Sequence, residues 1–257
     1  MTNAERLAVR NKSVVKANEL IQKSRFSHSI QQQKMVLYLI SQIEPQDEDF
    51  KLYEFSIVDF CKVCGIDYQS GGNYQFLKEQ IKSLRDKSLW ITLENGEETT
   101  VSWIEKPYIS KGKGIIKVRL DKDMKPYLLQ LKERFTQYEL IWTLRFNCKY
   151  STRLYELIKS IHYHEDKPYT HEFSIDLLRE RLDAETYTLY KNFKSRVLTV
   201  AIEEINAYSD KHIEYKEIKD GRKVVAIEFT ISTKPPVERL NTRAMIEQEL
   251  DKSQKPE

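Results

Sequence analysis

Between Tyr190 and Val200 the chain carries Lys191, Lys194 and Arg196 and no acid. A helix through this stretch, turning about 100° per residue, sets Phe193, Val197, Val200 and Ala201 on one sector and Asn192, Ser195, Arg196, Thr199 and Glu203 on the opposite one. Arg forks onto guanine O6 and N7 and Asn pairs bidentately with adenine, so the outer sector holds the residue types that read base edges in a major groove. Asn192, Ser195, Arg196 and Thr199 are the candidate base readers, and Lys191 and Lys194 the candidate phosphate contacts beside them. The competing explanation, open to any basic helix, is a solvated face.

Two other constellations invite chemistry and carry less of it. His162-Tyr163-His164, with Tyr187 and Tyr190 downstream, has the residue types of a rolling-circle nickase, in which a His pair on a strand holds a divalent metal and a Tyr attacks DNA. Here the pair falls at the end of a helix through Leu154 and Ile161, where positions i and i+2 point apart. Cys61-Lys62-Val63-Cys64 has metal or redox spacing but no second pair, and Cys148 stands alone. There is no Gly-x-x-x-x-Gly-Lys-Ser/Thr loop for nucleotide phosphates. The expectation is a protein with no metal, no cofactor and no catalytic residue, hence not an enzyme.

The candidate reading helix sits inside a plan that occurs twice. Phe55-Ser56-Ile57 opens one block and Phe173-Ser174-Ile175 opens another, 118 positions later (173 − 55). Each is followed by a short amphipathic stretch, a polar gap, a Tyr-led helix (74–88 and 190–209) and a hairpin. Short helix, turn, longer basic helix and β-hairpin is the layout of a winged helix, so the expected fold class is α+β, two tandem winged-helix domains related by an internal pseudo-repeat. Ahead of the first block, Met35, Val36, Leu39, Ile40 and Ile43 recur at helical spacing from Ser29. Ahead of the second, Leu154, Leu157, Ile158 and Ile161 form a stripe that Ser151 is placed to cap. Asn95-Gly96 predicts a type I′ hairpin between Leu89–Leu93 and Thr99–Ile104, Ser70-Gly71-Gly72-Asn73 a turn, and residues 121–131 a linking helix interrupted near Pro126.

The helix of the first repeat shows Lys78, Lys82 and Arg85 outward, together with Glu79 and Asp86, and suits positioning contacts to phosphate rather than base reading. Lys111 and Lys113, with Lys117, around one glycine turn, and Arg222 and Lys223, with Lys219, around the other hairpin, suit wings lying along the backbone. The expected organisation is a flexible N-terminal arm (1–25), an N-terminal winged helix (26–132), a C-terminal winged helix (133–234) and a charged tail (235–257).

Composition agrees with this without proving it. The 257 residues are enough for two domains that each bury a core. With 42 basic against 39 acidic residues the net charge is only +3, so attraction to phosphate rests on local clustering. No apolar run approaches the roughly 20 residues of a membrane span, and the N-terminus lacks the apolar core of a signal peptide. Three cysteines fit reduced thiols, and a cytoplasmic location away from membranes is expected.

Tyr150-Ser151-Thr152-Arg153-Leu154-Tyr155-Glu156-Leu157, Phe193-Lys194-Ser195-Arg196-Val197-Leu198, Glu204-Ile205-Asn206 and Gly221-Arg222-Lys223 resemble the replication initiator (Rep) proteins of iteron-containing, theta-replicating plasmids. The resemblance spans about Val14 to Thr233, and its second half is the more specific. It implies two winged helices, binding as a monomer to directly repeated double-stranded origin DNA, self-association into a dimer that represses its own promoter, and contact with host replication factors such as the replicative helicase or the host initiator. Gln31-Gln32-Gln33-Lys34 departs from the family pattern, which has an acidic residue there. A winged-helix transcriptional regulator would use the same DNA contacts and start no replication.

Overall fold

The computed structural model describes residues 1–66, 72–93, 95–110, 112, 114–164 and 166–252. The N-terminal segment 1–25, expected as a flexible arm, is folded into α1 (Asn3–Arg10), β1 (Ser13–Ala17), α2 (Asn18–Lys23) and β2 (Ser24–Arg25). Val14, Leu20 and Ile21 are buried, and so are Arg10 and Lys16. The buried cations are the reason the pattern was hidden. In β1 the two inward positions are Val14 and Lys16, so half of the inner face reads as polar.

The first winged helix comprises α3 (Ile30–Ile40), β3 (Tyr53–Ser56), α4 (Ile57–Cys64), α5 (Gly72–Asp86), β4 (Ser88–Thr92), β5 (Glu98–Ser102), β6 (Tyr108–Ser110) and β7 (Ile115–Val118). Ser29 and Gln32 close a capping box at the start of α3. Ser56 caps α4 by accepting from the Asp59 N–H at 3.3 Å. Gly65 ends α4 at φ +62°, a left-handed conformation that a side chain would strain. The carbonyls left over at that end accept from buried cations: Val63 and Lys62 from Arg10, and Cys64 from Lys34. The Asn95-Gly96 turn is not the type I′ turn expected. Gly96 has φ +85° while Asn95 is not among the residues at positive φ, and bonds from Leu93 N–H to Glu97 C=O and from Gly96 N–H to Leu93 C=O close the hairpin; Glu94 lies outside the described residues. Positions 70 and 71 of the expected turn before α5 lie outside the described residues, and Gly72 and Asn73 already belong to the helix.

Between the halves the expected single helix is a 3-10 turn (Lys122–Met124) capped by Asp121, followed by α6 (Lys125–Leu128) with Pro126 in its first turn, where no N–H is needed. Then come β8 (Phe135–Glu139) and α7 (Ile141–Leu144). β8 pairs antiparallel with β1, Val14 facing Tyr138, so the N-terminal segment is stitched across the expected border at 132/133.

The second winged helix comprises α8 (Lys149–Lys159), β9 (Tyr169–Ser174), α9 (Ile175–Arg181), α10 (Tyr190–Phe193), α11 (Thr199–Tyr208), β10 (Lys211–Asp220) and β11 (Lys223–Thr233). Its sheet order β9-β11-β10 repeats β3-β7-β6 of the first half. Phe55 lies opposite Ile116 and Phe173 opposite Ile227. In both copies the Phe is buried, the Ser caps the next helix and the Ile is that helix's first buried residue, which explains why this tripeptide recurs. The β4–β5 hairpin belongs instead to a separate sheet, β2-β4-β5.

The charged tail, expected to be loose or marginally helical, forms α12 (Pro236–Lys252). Its inward residues Thr242, Ile246 and Leu250 recur every four positions inside a charged stretch. The helix packs on α11, α7 and α4, with ion pairs Arg145–Glu249 (2.7 Å) and Arg10–Asp251 (3.1 Å), and Arg243 both bonded to Glu139 and lying over the Trp142 ring. No helix among the described residues is long and apolar enough to cross a membrane.

The apolar cores of the two halves are continuous, and a buried polar cluster sits where they join. Lys16 Nζ donates to Glu156 Oε1 at 2.6 Å, and Tyr138 Oη donates to the same oxygen. Arg153, its guanidinium over the Phe26 ring, donates to the carbonyls of Ile21, Ser24 and Arg181. Burial pulls the Lys16 ammonium below its ordinary value despite Glu156.

Candidate nucleic-acid interface

The helix that carries the candidate base readers is not uniform. α10 runs into a π-helical stretch, Lys194–Leu198, and continues as α11. The buried stripe runs through it as Phe193, Val197 and Leu198 and continues as Ala201, Ile202 and Ile205. Val200, expected inward, is only half-buried, and Leu198 is buried. The outer sector survives: Asn192, Ser195 and Arg196 are exposed and Thr199 half-buried. Lys191 is exposed beside them.

Lys194 has a different role from the one its charge suggests. Its Nζ donates to Glu217 Oε1 at 2.7 Å, and Tyr190 Oη donates to the same oxygen at 2.8 Å. Lys219 lies 4.0 Å from the other oxygen. Glu217 belongs to β10, so one carboxylate ties the first turn of the helix to the wing hairpin. The Lys194 bond first, then that of Tyr190, holds the Glu217 carboxyl below the usual range. At the tip of the hairpin Gly221 takes φ +57°, and Arg222 and Lys223 are exposed.

The first repeat presents a similar but mixed face. Lys78, Lys82 and Arg85 are exposed on α5 with no ion pair among the described residues, while Glu79, bonded to Gln75, and Asp86 are exposed on the same helix. Phe76 is also exposed there. Lys111 and Lys113 lie outside the described residues. Lys117 is committed to Glu54 at 2.9 Å. Replacing Lys78, Lys82 and Arg85 together by Ala is expected to flatten the dependence of log K on log salt by up to about three units, with equal losses on any duplex. Titration of binding between 50 and 300 mM salt checks this, and an unchanged slope would remove α5 from the interface.

The His pair is split. His162 is buried, its Nε2 on the Lys167 carbonyl (2.9 Å) and its Nδ1 on Lys211 Nζ (3.3 Å), which occupies both ring nitrogens. His164 is exposed. Among the described residues no group of three His, Cys, Asp or Glu side chains is placed to hold a metal ion. Cys61 and Cys64 are buried on one face of α4, and burial pushes the Cys64 thiol up to about 12.

Comparison with known proteins places these features together. Residues 13–159 match the family model described as initiator replication protein, WH1, and residues 174–231 match initiator Rep protein, WH2. The chain belongs to the initiator replication protein family. Among its relatives is the PI protein of Escherichia coli, 29% identical over 161 residues, which are 56% of this chain and 53% of that protein. The chain thus spans about half the length of that curated relative. A solved structure of the Pi initiator protein in complex with iteron DNA superimposes with a TM-score of 0.70 at 21% identity, covering 88% of this chain and 98% of the other.

In this member of the family the segment Tyr150–Leu157 is scaffold. Arg153 and Glu156 build the junction cluster, and Tyr155 Oη and Lys159 Nζ bond the two oxygens of Asp210. Ser151 does not cap α8 as expected. The Glu204 carboxylate does, accepting from the N–H groups of Asn147 and Cys148 and, at 2.6 Å, from Ser151 Oγ. Asn206 bonds both backbone groups of Ile213 and fixes the turn into β10. Glu204 and Asn206 in this way seat the helix that carries the outward sector against α8 and β10.

Proposed function

We propose that this chain initiates plasmid replication by gripping directly repeated double-stranded origin DNA with its two winged helices. The observation that carries the proposal is the repeated winged-helix plan, matched over both halves by initiator family models, with an outward Asn192-Ser195-Arg196-Thr199 sector on the second reading helix. In this view Arg196 and Asn192 read base edges, Lys191, Arg222 and Lys223 hold phosphates, and α5 fixes the position of the first winged helix with Lys78, Lys82 and Arg85. The protein acts in the cytoplasm, binds repeats as a monomer, represses its own promoter as a dimer, and recruits host factors such as the replicative helicase or the host initiator. It cuts no DNA.

Arg196→Ala tests the reading face. Loss of a bidentate base contact is expected to cost about 1 to 3 kcal/mol, roughly 5- to 150-fold in affinity for the repeat duplex. A scrambled duplex at the same salt should lose much less, because one charge leaves a broad footprint. Circular dichroism should be unchanged, since Phe193, Val197 and Leu198 still fill the core. Equal losses on both duplexes would demote Arg196 to a phosphate contact. Supplying the protein in trans to a replicon carrying the repeats separates an initiator, which restores replication, from a transcriptional regulator, which does not. Supercoiled origin DNA incubated with the protein and Mg²⁺ or Mn²⁺ should yield no nicked circle and no adduct on Tyr187 or Tyr190, and either product would overturn the non-catalytic assignment.

A further inference from the structure

An acidic side chain on the face of a DNA reader calls for a reason. Glu217 lies on β10 at the root of the wing, directly against the start of the reading helix, and accepts from Tyr190 Oη and Lys194 Nζ through one oxygen while Lys219 approaches the other. The carboxylate side chain is 21% exposed and Lys194 43%, so the pair is at the rim of the surface rather than in the core. Ion pairs at such a rim contribute little to stability. Fold maintenance therefore accounts poorly for a three-way tie at this place.

The tie has two physical consequences. It fixes the angle between the helix and the hairpin, because Tyr190 and Lys194 stand one helical turn apart and both are anchored to the same atom of β10. It also withdraws a cation from the phosphate-binding inventory. The exposed cations of the same helix, Lys191 and Arg196, have no ion pair among the described residues, whereas Lys194 is paired with Glu217 where it stands. A DNA reader gains discrimination when attraction common to all sequences is trimmed and the groups that read bases are held rigidly.

We propose that Glu217 is a specificity-setting positioning residue of the C-terminal winged helix, holding the wing against the reading helix and keeping Lys194 off the phosphate backbone. The proposal rests on the assignment of the Asn192–Arg196 sector to DNA, and deepens it.

Three variants separate the two consequences. Glu217→Gln keeps an acceptor for Tyr190 but removes the charge. It should release Lys194, steepen the log K against log salt slope on a scrambled duplex by about 0.9, and strengthen that binding up to about eightfold at 0.1 M salt. Binding to a duplex selected by the parent protein from a random pool should gain less, so the ratio of the two affinities falls. Tyr190→Phe keeps the charge and removes one anchor. It should lower affinity for the selected duplex without changing the salt slope. Glu217→Ala should do both, and thermal melting should show all three variants folded. Glu217→Gln in a Lys194→Met background should restore the parental slope, which a purely structural role for Glu217 would not produce. Unchanged slope and unchanged ratio in Glu217→Gln would overturn the proposal. Measured beside them, Arg196→Ala distinguishes the two levels: if it loses selected-duplex binding while the Glu217 variants change nothing, this proposal alone fails. If Arg196→Ala also changes neither duplex, the DNA-facing assignment fails and takes the proposal with it.

Discussion

Replacing Glu156 by Ala is expected to remove about 3 to 5 kcal/mol of stability, because it strands a buried ammonium. Lys16 and Glu156 are both almost wholly buried, and the pair joins the N-terminal strand β1 to α8 of the second winged helix. Tyr138 Oη loses its acceptor in the same stroke. Arg153 is less affected, since its guanidinium also donates to the carbonyls of Ile21, Ser24 and Arg181. For a chain of this size the loss corresponds to a fall in Tm of roughly 6 to 20 °C. The double variant Lys16→Met, Glu156→Leu should recover most of it and lie within about 2 kcal/mol of the parent, because apolar replacement removes the desolvation cost of both charges together. Urea denaturation of the parent, both single variants and the double variant checks this. A loss below about 1 kcal/mol for Glu156→Ala would mean that water reaches the cluster and that it is not the joint between the halves.

Acidification from pH 7 to pH 5 is expected to weaken the parent by about 2 kcal/mol more than it weakens His28→Gln. His28 is buried between Phe26 and Trp103, and its Nε2 has no hydrogen-bond partner among the described residues. Burial first, and then Lys87, Arg153 and Lys16, hold its pKa at about 3 instead of the usual 6.5. The unfolded chain takes up the proton near pH 6.5 while the folded chain refuses it until about 3. Between those limits the unfolded state binds more protons, so the contribution is intact above pH 6.5 and is lost as pH falls through the window. Denaturation midpoints of both proteins at pH 7, 6 and 5 measure the difference. Parallel losses in the two proteins would show that His28 accepts its proton in the folded state and that the surrounding cations do not confine it.

Both results bear on the candidate site, because the junction joins the two winged helices. In winged-helix proteins the outward sector supplies contacts, while its placement comes from the elements behind it. Here those elements include a buried Lys and Glu that lie 140 positions apart in the chain.

Local signals in the sequence determined much of the architecture. The Phe-Ser-Ile repeat and the apolar stripes of residues 35–43 and 154–161 are patterns within a few residues, and the physics that reads them, side-chain period along a helix or strand, is equally short in range. The outward positions of Asn192, Ser195 and Arg196 were legible for the same reason. Only the tertiary structure decided what depends on partners far along the chain. The N-terminal segment read as flexible because its inward Lys16 needs Glu156 before it can be buried, and the helix in the charged tail was not legible because Ile246 and Leu250 are buried only once α12 packs on α4, α7 and α11. The cap of α8 comes from Glu204 on another helix, which no pattern around Ser151 reveals. That Leu198 is buried and Val200 only half-buried was decided by what packs around the helix, not by its wheel. The state of Lys194 was decided in the same way: its charge is in the sequence, but the carboxylate that restrains it arrives from a strand 23 residues later, brought into reach only when the wing folds back on the helix.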